Sequence, residues 1–138
     1  MSEASNQKRR VMGGIDLAAG ALLLVGTWIF LPVRWAPADV VGTVLGLGFV
    51  TAGGLLFTGH ARATKVAKTV AAVALAVGLL LVAALAYTAG SLRGMYGPVG
   101  QGGSVILFVA ALLFVPYLVV FPAAQLYALL PREAKEST

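Results

Sequence analysis

Four long apolar stretches, almost free of charge, take up most of this chain and constrain its fold more than any short motif does. The hydrocarbon layer of a bilayer is about 30 Å thick, so a helix rising about 1.5 Å per residue crosses it in roughly 20 apolar residues. Residues 11–31 hold a single charge, Asp16, while residues 40–58, 69–89 and 105–130 hold none. Apolar residues run all round each stretch instead of returning every third or fourth position, as the helices of a water-soluble domain require. Charged residues are only 11% of the chain, against about 25% in an ordinary soluble domain. The expected fold is all-α, an integral membrane four-helix bundle running up and down. Residues 1–10 and 132–138 are then short polar tails on a single four-span domain, 11–131.

The connections 32–39 and 59–68 are long enough to reverse the chain and too short to fold separately, so sequence neighbours should pack antiparallel. Lys8, Arg9, Arg10, Arg62, Lys65, Lys68, Arg132 and Lys135 fall on one side of this layout, and only Arg34 and Arg93 on the other. The excess of basic residues marks the cytoplasmic face, which places both termini and the 59–68 loop in the cytoplasm. The expected location is a cell membrane crossed several times, with a bacterial inner membrane favoured by the short loops. The net charge of +5 then reports orientation and attraction to anionic headgroups. Nucleic acid is not an expected partner, because no basic surface with interleaved aromatics exists outside these short clusters.

A competing reading treats Lys8–Arg10, the first apolar run and Ala36-Pro37-Ala38 as a secretory signal with a cleavage site. The run of about 20 residues exceeds the 7–15 of a signal core, and Arg34 and Trp35 resemble an interfacial anchor. The chain has no cysteine, which excludes disulfides, thiolate metal sites and cysteine nucleophiles.

Helices in lipid associate through close backbone approach at small residues. Gly42 and Gly46 form a G-x-x-x-G pair in the second stretch, Gly53 extends that face, and Gly48 with Ala52 makes another. The third stretch repeats the theme with Ala67 and Ala71, Ala74 and Gly78, and Ala86 and Gly90, each pair four apart and on one helix face. Gly42, Gly46, Gly53, Ala74 and Gly78 are the expected packing or docking positions.

The fourth stretch is longer than a span needs. Pro116 and Pro122 lack amide hydrogens, which leaves the carbonyls of Leu112 and Leu118 without helical donors and favours kinks. Tyr117 and Gln125, eight residues apart, could line a polar lane. Asp16 is the one ionisable group within a stretch, read either as an anchor that reaches the cytoplasmic surface or as an ion-handling group. Residues 90–104, rich in glycine, read as a long outer loop in which Arg93, Tyr96, Gly97 and Pro98 could recognise a partner.

Catalytic chemistry is poorly provided for. His60 is the only histidine, with no neighbouring carboxylate or thiol, so neither a metal site nor a paired-histidine haem is expected and no cofactor is implied. The sequence therefore points to a non-enzymatic membrane protein, a structural or accessory subunit of a membrane complex or homo-oligomer. The alternative is a channel or carrier for a small uncharged or lipid-like solute. A lipid-modifying enzyme using the basic cluster as a headgroup site is the third reading.

Overall fold

A computed structural model describes residues 3–30 and 36–130, and its described secondary structure is helical. α1 spans Glu3–Val25 and ends in a π turn, Gly26–Phe30; α2 spans Ala36–Thr58; α3 spans Ala63–Val115; a second π turn, Pro116–Val120, leads into α4, Phe121–Ala128. Three helical stretches, Glu3–Ile29, Ala36–Thr58 and Ala63–Ala128, are long and apolar enough to cross a membrane. The chain divides into two compact units, residues 1–70 and 71–138.

In the first unit, α1 and α2 pack antiparallel through glycines. A Cβ on Gly13 would lie 2.8 Å from the carbonyl oxygen of Gly53, and one on Gly53 would lie 2.7 Å from that of Gly13. Seven residues further along, a Cβ on Gly20 would lie 2.7 Å from the carbonyl oxygen of Gly46. The next step of seven brings Thr27 against Gly42. Spacing of seven keeps one stripe facing the partner helix, and absence of Cβ lets the backbones meet. Phe49, Ala52 and Leu56 of α2 are buried in the core of this unit. Beside them, a Cβ on Gly48 would meet the methyls of Val70 at 3.4 Å.

α2 ends at Gly59, whose φ of 75° is the left-handed cap that glycine adopts without strain. The amides of Gly59 and His60 return to the carbonyls of Leu56 and Leu55 at 3.3 and 3.0 Å, closing a Schellman motif. At the opposite end, Trp28 Nε1 donates to Thr43 Oγ1 at 3.1 Å, and that hydroxyl donates to the Asp39 carbonyl at 2.6 Å.

The second unit is a helical hairpin made by folding α3. Gly97, at φ 57° and ψ −134°, is its one non-helical residue, near the first central position of a type II′ turn. Beyond it the chain returns, since a Cβ on Gly100 would strike the carbonyl of Leu92, and one on Gly78 would strike the carbonyl of Leu118. Residues 78 and 118 could not meet along a straight helix, where they would stand about 60 Å apart.

Two sequence expectations need correction. Residues 3–10, read as a tail, belong to α1, and residues 90–104, read as a loop, are helical except at Gly97. Glycine weakens a helix in water by about 1 kcal/mol. The segment is nevertheless helical on both sides of Gly97. Among the described residues three helical stretches are long and apolar enough to cross a membrane, and the third is bent back on itself at Gly97. Residues 132–138, Arg34 and Trp35 lie outside the described residues.

Candidate functional site

The structure distributes the expected packing residues between the two units. Gly46 and Gly53 are buried against α1, and Gly42 accommodates Thr27, whose hydroxyl donates back to the Leu23 carbonyl at 2.8 Å. In the second unit Gly78 receives the Leu118 carbonyl, and Ala74 is buried one turn earlier. Pro122, four residues after Leu118, has no amide hydrogen to offer that carbonyl. The missing Cβ of Gly78 lets the carbonyl approach the facing helix, where a Cα–H is a weak donor.

Sequence reasoning passed over the α1 half of the first interface, Gly13 and Gly20. Their signal was legible: Gly13, Gly20 and Thr27 repeat at intervals of seven, matching the stripe on α2. Between them lies Asp16, only 1% exposed. It sits one turn from each glycine on a helix that packs on α2, enclosed by protein instead of extended to the surface.

Tyr117 and Gln125 are not brought onto one enclosed face. Tyr117 is 75% exposed while Gln125 is 6% exposed. The π turn Pro116–Val120 separates them; there the Phe121 amide bonds the Pro116 carbonyl, five residues back. That turn inserts an extra residue and changes the phase of everything beyond it. Arg93, Tyr96, Gly97 and Pro98 stand exposed at the hairpin bend, and a Cβ on Gly100 would crowd the Tyr96 Cβ.

The glycines of α3 near the bend behave differently from the packed ones. Among the described residues nothing lies within 4 Å of a Cβ built on Gly90 or Gly94. With Ala86, also exposed, they form an open stripe of small residues at four-residue spacing. Only 6% of the most apolar window of Ala63–Ala128 is buried. Leu80, Ile106 and Leu113, each about two-thirds exposed or more, present surface suited to lipid or to another helix.

At the opposite end of α1 from Thr27, basic residues converge. Arg9 Nη2 donates to the His60 carbonyl at 3.3 Å, tying Lys8–Arg10 to the turn between α2 and α3. His60 shapes that turn: its Nδ1 accepts from the Arg62 amide at 3.2 Å, and its carbonyl accepts from the Ala63 amide at 3.0 Å.

Comparison with protein-family models, with curated proteins and with solved structures gives no match. What the described residues define is a class: an all-helical fold in which three helices are long and apolar enough to cross a membrane.

Proposed function

We propose that the chain is a non-enzymatic integral membrane protein, a structural or accessory subunit that associates through α3 with another membrane helix or a second copy of itself. The open Ala86, Gly90, Gly94 stripe carries the reading. At Gly13, Gly20, Gly46, Gly53 and Gly78 a facing backbone fills the space a Cβ would take, and at Gly90 and Gly94 that space is open. Van der Waals contact at such stripes is a main source of helix association in lipid. The bundle is read as four spans, with α3 contributing both arms of its hairpin and the basic end of the first unit in the cytoplasm. The only histidine uses its ring acceptor to hold a turn, which fits a scaffold better than a catalyst.

Gly90→Leu and Gly94→Leu test this. Both positions have room for a side chain, so the monomer should keep its helicity. Native mass spectrometry of protein extracted in mild detergent should show loss of the associated chain. An assembly that survives both substitutions, or an unaltered protein that is monomeric after extraction from its own membrane, would refute the proposal.

A further inference from the structure

We infer that a recess at the basic end of the first unit binds the phosphate of an anionic lipid headgroup. It has a volume of about 180 Å³ and is lined by Asn6, Arg9, Arg10, Leu56, Phe57, Thr58 and Gly59. Its polar wall and its apolar wall meet where the charged start of α1 gives way to the apolar run from Val11.

The donors in this recess belong to Arg9, Arg10 and Asn6. The Thr58 hydroxyl proton is committed to the carbonyls of its own helix, with Gly54 at 2.9 Å. Two carbonyls near the end of α2 and one in the turn beyond it, which would repel an anion, are already engaged. Those of Leu55 and Leu56 accept from His60 and Gly59, and that of His60 accepts from Ala63 and Arg9. Arg9 is thereby held by Nη2, and its Nε is enclosed without a partner among the described residues. Arg10 beside it is exposed.

Counter-charge from the protein is scarce. Between Asp39 and Glu133 the sequence has no acidic residue, and Glu3 is the only one before Asp16. A phosphodiester would meet two guanidinium groups, a geometry that favours phosphate recognition. Phe57, 53% exposed, supplies an apolar wall where acyl chains would continue. A diacyl lipid uses both halves of this lining, whereas free phosphate uses only the polar half. The inference depends on the chain lying in a bilayer and is independent of the subunit reading.

The test is native mass spectrometry of the full chain from detergent containing equal phosphatidylglycerol and phosphatidylcholine. One phosphatidylglycerol should be retained per chain in preference to phosphatidylcholine. Arg10→Gln should weaken retention about fivefold and Arg9→Gln/Arg10→Gln about thirtyfold, the values for one and two basic contacts to an anionic surface. Lys65→Gln, at the same end and outside the recess, should change it less than about twofold if the bound lipid is held by local contacts. Circular dichroism checks that each variant keeps its helicity. Arg10→Gln alone remains informative if loss of Arg9 disturbs the α2–α3 turn.

Persistence of the lipid in millimolar inorganic phosphate assigns the site to a headgroup. Displacement by inorganic phosphate would show that the recess takes soluble phosphate equally well and would overturn the lipid assignment. No preference for phosphatidylglycerol, or equal losses from Lys65→Gln and Arg10→Gln, would overturn the site altogether.

Discussion

Gly13 and Gly14 are adjacent residues of one helix, with the same intrinsic helix propensity and opposite surroundings. A Cβ on Gly13 would sit 2.8 Å from the Gly53 carbonyl oxygen and 2.9 Å from the Phe57 amide nitrogen, and a Cβ on Gly14 would meet nothing within 4 Å. Ordinary contact begins near 3.4 Å, so Gly13→Ala forces α1 and α2 apart by about 0.6 Å at this point. A gap of about 0.5–1 Å forfeits a quarter to a half of each dispersion contact it opens, and overpacking a filled core costs about 1–3 kcal/mol. Ala gains about 1 kcal/mol over Gly in a helix in water, but that gain is common to both substitutions and cancels in their difference. Gly13→Ala should therefore be about 1–3 kcal/mol less stable than Gly14→Ala. Reversible unfolding in mixed micelles, followed by far-ultraviolet circular dichroism, measures that difference. Gly53→Ala acts on the same contact from the other side, so the double variant Gly13→Ala/Gly53→Ala should cost less than the two singles added, because one separation accommodates both methyls. Equal stability of Gly13→Ala and Gly14→Ala, or strict additivity of the double variant, would refute the interlocked backbone.

Two further substitutions probe the second unit. Gly78→Ala places a methyl on the Leu118 carbonyl and should destabilise the hairpin by about 1–3 kcal/mol; spin labels on its two arms should report a longer distance, and an unchanged distance with unchanged stability would contradict the close approach. Gly97→Ala puts an L residue at φ 57°, ψ −134° and should cost about 1–3 kcal/mol. The same labels should show a broadened distribution, whereas a narrow native one would mean that the bend does not depend on glycine.

Much of the architecture was legible because a bilayer leaves few choices. Runs of about 20 uncharged residues must be helical, since only a helix satisfies its own backbone in hydrocarbon. The stripe Gly42, Gly46, Gly53 could be read as a packing face from its spacing alone, and Gly78 with Ala74 likewise. The glycine-rich segment 90–104 misled for a related reason: composition signals a loop in water, where solvent competes for backbone groups, and that competition weakens when the surroundings are apolar. Only Gly97 took the conformation that glycine permits. The pairing of Tyr117 with Gln125 failed because a regular helical phase was assumed across Pro116, where the π turn alters it.

The sequence by itself determined composition-level and local properties: helical class, the length and apolarity of the helices, the concentration of basic residues near their ends, and the positions able to tolerate close contact. Each depends on residues near one another along the chain. Tertiary structure decided which stripe meets which. Gly13 answers Gly53, Gly20 answers Gly46, and the carbonyl opposite Pro122 finds Gly78, pairings that span 26 to 40 residues and that several registers of small residues could have satisfied equally well. It also separated the covered pair Gly42 and Gly46 from the open pair Gly90 and Gly94, although each pair is four residues apart. Periodicity fixes the face of a helix on which a residue lies, and only the placement of the neighbouring backbone determines whether that face is filled.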